Sequence, residues 1–154
     1  MVLSFSTSPG LTTKINHMDM NILAIDPASE TGWAISKEIY GTWSLRTRAD
    51  ESWGMKLIRF KSKLTEIVNA YPIKLITYER PGGRNTLAII TQSKIIGVIE
   101  TVCEEIGIEY RAFSSGEIKT FATGKGNSGK SQMIAAAKKM YGYDGNNDNE
   151  ADAL

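Results

Sequence analysis

Three carboxylates occupy positions where acidic side chains are costly unless something compensates their charge. Asp26 ends the apolar run N-I-L-A-I-D-P, and Glu79 ends a second one, K-L-I-T-Y-E-R-P. Asp152 lies in D-N-E-A-D-A-L, a stretch of helical character at the C-terminus. A buried carboxylate is unfavourable unless it is paired, and a divalent cation is a frequent partner. Nucleases and polymerases gather such carboxylates around Mg²⁺ to act on phosphodiesters.

Cationic and amide side chains follow Glu79 in the glycine-bearing loop R-P-G-G-R-N. We expect Arg80, Arg84 and Asn85 to contact the phosphates of a nucleic acid backbone.

A purely structural explanation is also open for each of the three carboxylates. Asp26 before Pro27 is also a common turn residue, and Glu79 before Arg80 could form half of a surface ion pair. Asp152 could be an exposed helix charge.

A glycine-rich segment, residues 124–131, satisfies the nucleotide-binding pattern G-x-x-x-x-G-K-S. A nucleotide loop needs a buried strand before it, so that its amides surround the phosphates at a helix N-terminus. Residues 116–123 have helical character instead, so we expect no nucleotide cofactor. The segment suits a DNA backbone better, with an ordinary solvated linker as the alternative. Its predicted DNA-binding residues are Lys119, Lys125, Asn127 and Lys130.

Composition fits a single domain with a hydrophobic core. The chain has 154 residues, of which 42% are hydrophobic and 23% charged, and its net charge is +1. It is therefore not a strongly basic protein that coats DNA by charge alone. Cys103 is the only cysteine and His17 the only histidine, which excludes an internal disulfide and any histidine metal cluster. No uninterrupted apolar run reaches the ~20 residues of a membrane span.

The order of predicted elements is three strands, then alternating helices and strands. The predicted strands are residues 21–25, 32–36, 39–45, 74–79 and 109–113, with a turn marked by Pro27 and Gly32 after the first. The predicted helices are residues 52–69, 85–106, a short one from Ser114 or Ser115, 130–141, and a last one capped by Asn146, Asn147 or Asp148. This order predicts an α/β fold with a mixed five-stranded sheet and helices on both faces. Trp33 and Trp43 are expected in the core, and Trp53 in the core or at an interface.

The chain resembles the RuvC family of Holliday junction resolvases, particularly its small phage-type members, in four segments. They are I-D-P-A-S-E-T-G-W-A, I-T-Y-E-R-P, F-A-T-G-K-G-N-S-G-K-S and D-N-E-A-D-A-L, in this order along residues 21–154. The resemblance implies an RNase H-like fold and a role in DNA recombination and repair. It also implies a homodimer, because a four-way junction carries two symmetric cuts. The expected location is the cytoplasm of a bacterial or phage-infected cell.

The resemblance also implies a metal site. Family members bind two divalent ions through acids of the first strand, the fourth strand and the last helix, which are Asp26, Glu79 and Asp152 here. The ions would be Mg²⁺, or Mn²⁺ in its place. One would activate the attacking water, and the other would stabilise the leaving 3′ oxygen.

The fourth ligand is Asp148 or Asn149. Cellular family members carry Asp or His three residues before the final acid, where this chain has Asn149. Asp148 lies four residues before Asp152, and steps of three and four both return to one helical face. We prefer Asp148 for its charge, although its use as an N-cap alone is an alternative. An asparagine in place of an acid would weaken the enzyme.

The sequence thus predicts a metal-dependent, structure-selective DNA endonuclease that resolves four-way junctions. Two alternatives remain open. One is another RNase H-like nuclease acting on RNA–DNA hybrids, flaps or single strands, and the other is a catalytically weakened junction-binding protein. Residues 1–19 are expected to be a flexible leader or tag, and residues 20–154 the nuclease domain, truncated at its C-terminus.

Overall fold

The computed structural model describes residues 22–142 and Asp144. These residues form five strands and four helices in the predicted order. The strands are β1 (Ile22–Asp26), β2 (Glu30–Ala34), β3 (Tyr40–Ser44), β4 (Leu75–Glu79) and β5 (Glu109–Phe113). The helices are α1 (Gly54–Ala70), α2 (Thr86–Ile106), α3 (Ser115–Thr123) and α4 (Lys130–Tyr141). The predicted leader and the predicted last helix lie outside the described residues.

The strands form one mixed sheet in the order β3-β2-β1-β4-β5. The first three strands form an antiparallel meander, whereas β4 and β5 pair in parallel with β1 and β4. Helices α1 and α2 supply the crossovers that parallel neighbours require. The predicted mixed five-stranded sheet is therefore confirmed.

The second strand begins two residues earlier than predicted, and the expectation that Gly32 marks a turn is wrong. Glu30 already pairs with Ser44, and Gly32 pairs with Asp26 on one side and Thr42 on the other. The turn closes before β2 begins. The Thr31 hydroxyl donates to the Ala28 carbonyl at 2.6 Å, which fixes the chain at the first residues of the strand.

The main core lies between the sheet and helices α1 and α2. Alternation along the strands directs Leu23 and Ile25 of β1, and Ile76 and Tyr78 of β4, to this face. The helices contribute buried residues at helical spacing to the same core: Phe60, Leu64, Ile95, Ile99, Val102 and Cys103. Trp43 stacks on Trp33 at a centroid distance of 5.5 Å, which confirms the predicted core role of both tryptophans.

The opposite face of the sheet carries α4. Ala137 is buried there and packs with Ile134 and with Tyr40 of β3. Tyr40 stands three positions before Trp43 on the same strand, so the two side chains point to opposite faces. Helices therefore lie on both faces of the sheet, as predicted.

Helix α2 is long and apolar enough, by length and composition alone, to cross a membrane. Core helices satisfy the same criterion. Ile95, Ile99 and Val102 of α2 are buried against the sheet and α1, while Leu87 at its start is 76% exposed. We therefore treat α2 as a core helix with one outward apolar face.

Cys103, the single cysteine of the chain, is a core thiol. Its side chain is fully buried in α2. Burial raises the pKa of the thiol to about 11, so it is protonated and unreactive near neutral pH.

Candidate active site

Asp26 and Glu79 end adjacent parallel strands at the same edge of the sheet. Strands β1 and β4 pair in register from Ile22 with Leu75 to Ile25 with Tyr78. The next pair in this register is Asp26 with Glu79. Neighbouring strands lie about 4.8 Å apart, so the two residues are neighbours in the sheet despite their separation in the chain.

Both acids point to the sheet face that carries α4. Ile25 and Tyr78 are buried on the core face, so the residues that follow them project to the other side. Asp26 and Glu79 are each half-buried there. On the far side of Asp26 its partner in β2 is Gly32, which brings no side chain to the site.

This arrangement fits a hard divalent cation. Two negative charges on neighbouring strands repel each other, and more strongly in a half-buried position than in water. Carboxylate oxygens are the donors that Mg²⁺ and Mn²⁺ prefer, and a cation between Asp26 and Glu79 would remove their repulsion.

The other predicted ligands, Asp148, Asn149 and Asp152, lie outside the described residues. Within residues 22–142 and 144, no group of three or more His, Cys, Asp or Glu side chains could hold a metal ion. The structure thus brings together two members of the predicted acidic site. The choice between Asp148 and Asn149 stays a prediction.

Glu79 is not half of an ion pair with its neighbour Arg80. No salt bridge joins the two among the described contacts. Arg80 instead extends the sheet, since its amide donates to the Phe113 carbonyl at 2.7 Å. Its charge lies near the start of α3, where Ser114 and, to a smaller degree, Arg80 lower the pKa of Glu117. The ion-pair alternative for Glu79 is therefore removed, and its carboxylate stays available to a metal.

The loop after Glu79 leads into the N-terminus of α2. Asn85 caps that helix, accepting from the amides of Leu87 and Ala88 at 3.1 and 3.2 Å. This cap occupies the side-chain oxygen of a residue that we expected to contact DNA. Arg80 and Arg84 are exposed, as a phosphate contact requires.

The glycine-rich segment is a folded turn rather than a nucleotide loop. It follows helix α3, not a strand, which confirms the reason for expecting no nucleotide. The Thr123 and Ser128 hydroxyls contact each other at 2.5 Å, and both bond the Lys125 carbonyl, at 3.1 and 3.0 Å. Ser128 is buried, while the predicted DNA-binding residues Lys125, Asn127 and Lys130 are exposed and Lys119 is half-buried. The turn therefore presents its cations from a hydrogen-bonded backbone, and the choice between a DNA contact and a solvated linker stays a prediction.

A group of cations beside the Asp26 edge was missed by the sequence analysis. Lys56 of α1 donates to the hydroxyl of Ser29, three residues after Asp26, at 3.0 Å. Lys56 and Lys94 of α2 both lie over the ring of Trp53, which is half-buried at the start of α1. Trp53 was expected in the core or at an interface; it is half-buried, and its ring is covered by these two lysines rather than by core side chains.

Sheet order and acid placement define an RNase H-like fold, as predicted. Solved structures with this fold include RuvC of Thermus thermophilus in complex with a Holliday junction substrate. That match has a TM-score of 0.72 at 16% identity and covers 87% of this chain and 88% of the other. The yeast mitochondrial Holliday junction resolvase Ydc2 matches with a TM-score of 0.56 at 12% identity, over 88% of this chain and 76% of that one.

Relatives found by sequence similarity are also named RuvC. The crossover junction endodeoxyribonuclease RuvC of Ehrlichia canis is 27% identical over 128 residues, covering 79% of this chain and 82% of that protein. The RuvC protein of Corynebacterium glutamicum is 24% identical over 137 residues, covering 83% of this chain and 62% of that protein. No protein-family model matches the sequence. The resemblance to RuvC proteins that the motifs predicted is thus confirmed.

Proposed function

We propose that this protein is an endodeoxyribonuclease of RuvC type that cleaves four-way DNA junctions with the help of divalent metal ions. The observation that carries the proposal is the register that makes Asp26 and Glu79 neighbours at the ends of parallel strands. The similarity to proteins named as crossover junction endodeoxyribonucleases supports the substrate class. Branched DNA is the proposed partner, and DNA recombination or repair the proposed process.

Asp26 and Glu79 would hold Mg²⁺ together with Asp152 and with Asp148 or Asn149. The bound metal supplies a nucleophilic water and charge stabilisation at the leaving oxygen. The chain itself contributes position and charge. The parallel register fixes the two carboxylates, while Arg80, Arg84 and Lys125 face solvent as contacts for the phosphates on either side.

The same proposal includes a homodimer in the bacterial or phage-infected cytoplasm. Two symmetric cuts in a four-way junction require two active sites related by a two-fold axis. The outward face of α2 offers apolar area for such contact, since Leu87 is 76% and Ile90 is 43% exposed. Light scattering on the protein as it elutes from a size-exclusion column should give twice the mass of one chain.

Cleavage of a synthetic four-way junction tests the proposal. We expect paired, symmetric nicks in the presence of Mg²⁺ and none in EDTA, with a linear duplex and an RNA–DNA hybrid left intact. Preferential cutting of the hybrid would make the protein a different nuclease of the same fold. Tight junction binding without cutting in either Mg²⁺ or Mn²⁺ would identify a junction-binding protein that has lost activity.

Replacing Lys125 and Lys130 together by alanine should weaken junction binding and flatten its salt dependence. Each phosphate contact that is lost lowers the slope of log Kd against log salt by about 0.9. The double variant should therefore lose a slope of nearly 2, measured by fluorescence anisotropy between low and moderate salt.

The matched control for that experiment is Lys63→Ala with Lys74→Ala. These lysines are exposed, and Lys74 precedes β4 at the opposite edge of the sheet. The control removes the same charge and should leave the slope unchanged. An unchanged slope in the Lys125 and Lys130 variant would return the glycine-rich turn to the role of a linker.

A further inference from the structure

Two lysines converge on one indole beside the acidic edge. Lys94 Nζ lies 4.0 Å and Lys56 Nζ 5.4 Å from the centroid of the Trp53 ring. We call Trp53, Lys56 and Lys94 the lysine–tryptophan cluster. Trp53 and Lys56 lie three residues apart at the start of α1, and the packing of α2 against α1 adds Lys94 to them.

Neither lysine of the cluster has an acidic partner among the described residues. Other lysines of the same two-helix layer do, since Lys61 pairs with Glu105 and Lys63 with Glu66. No ion pair among the described residues involves Lys56 or Lys94. The aromatic face compensates part of their charge, but an indole carries no net negative charge. The cluster therefore keeps an excess of positive charge that an anion would neutralise.

The cluster is tied to the strand end that carries Asp26. Lys56 Nζ donates to Ser29 Oγ at 3.0 Å, and the Ser29 carbonyl accepts from the Leu45 amide at 2.9 Å. Ser29 is thus held between β1 and the chain leaving β3, and it holds Lys56 in turn. The ammonium group is thus fixed beside the segment that follows Asp26, on the α1–α2 side of the sheet.

We propose that Lys56 and Lys94 bind a backbone phosphate of the DNA strand that enters the acidic site, with Trp53 as a positioning residue for both. This inference rests on the proposed nuclease function. It names a second contact point for the substrate, on the α1–α2 side of the acids and separate from the glycine-rich turn. Lysine suits this task, because a compact ammonium charge can swing from the aromatic face to a phosphate oxygen.

Binding measurements test the inference. Lys56→Ala and Lys94→Ala should each weaken binding of a four-way junction about tenfold at low salt, and lower the salt slope by about 0.9. Lys56→Arg keeps the charge and should restore most of the affinity. Trp53→Leu keeps both cations, so it should raise Kd a few-fold while leaving the slope unchanged.

Lys74→Ala removes the same charge at the opposite edge of the sheet and serves as the control. If Lys56→Ala and Lys94→Ala match this control in affinity and slope, while melting temperatures stay equal, the inference is wrong. Failure of the proposed function looks different. If the wild-type protein never cuts a junction, the proposed nuclease function is wrong. The inference about the cluster is still tested by the salt dependence of DNA binding in the lysine variants.

Discussion

Asp26→Asn and Glu79→Gln are each expected to abolish metal-dependent junction cleavage, lowering the rate by more than about 100-fold. Both changes keep the size of the side chain and remove the charge that holds a divalent ion. Junction binding should change little, because phosphates are held by cations elsewhere on the surface. Single-turnover cleavage and anisotropy on the same preparations separate the two effects.

A control and a second readout make this prediction sharper. Glu109→Gln removes an exposed acid at the opposite edge of the same sheet, where β5 begins, and should cleave normally. Two carboxylates on neighbouring strands repel each other when no metal lies between them, and we expect this to cost some stability. Asp26→Asn should therefore melt at the same temperature or higher in EDTA. Full activity in either site variant would remove these two acids from the mechanism.

Phe60→Ala should lower the free energy of unfolding by about 3–5 kcal/mol, because it leaves a cavity in the centre of the core. Phe60 is fully buried on α1 and meets Trp43 edge-on at a centroid distance of 5.8 Å. Its loss removes a core contact between α1 and the meander. Urea unfolding followed by tryptophan fluorescence should show the shift in midpoint.

Ile58→Ala on the same helix is the comparison for this core variant. Ile58 is 60% exposed and faces away from the sheet, so its truncation should change stability by less than about 0.5 kcal/mol. A similar loss in both variants would contradict core packing as the cause, and helix propensity would not explain it, because alanine is the better helix former at both positions.

Much of the fold was predictable because, along most of the chain, the spacing of hydrophobic residues and the local composition indicate the same element. The alternation of Leu23 and Ile25 with their neighbours, and the helical spacing of Phe60 and Leu64, each indicate one buried face. The start of β2 was misplaced because Gly32 reads locally as a turn residue. Only the pairing of Gly32 with Asp26 and Thr42 shows that it belongs to a strand.

The acids of the site were predictable for a different reason. Asp26 and Glu79 each end an apolar run, and parallel strands place their carboxyl ends at one edge. The lysine–tryptophan cluster was not predictable in this way. Lys56 and Lys94 belong to different helices, and only the packing of α1 against α2 brings both to Trp53. A long-range arrangement of this kind leaves no periodic signal in the sequence.

The parallel pairing of β1 with β4 has a consequence for the order of folding. Asp26 and Glu79 lie far apart in the chain and become neighbours only when the α1 crossover has closed. A partly folded chain carries two separate carboxylates with no joint affinity for a divalent ion. Any ion that bridges them therefore binds the native state alone and stabilises it by mass action. An ion bound by the acidic pair would therefore stabilise the sheet only after β1 and β4 have paired.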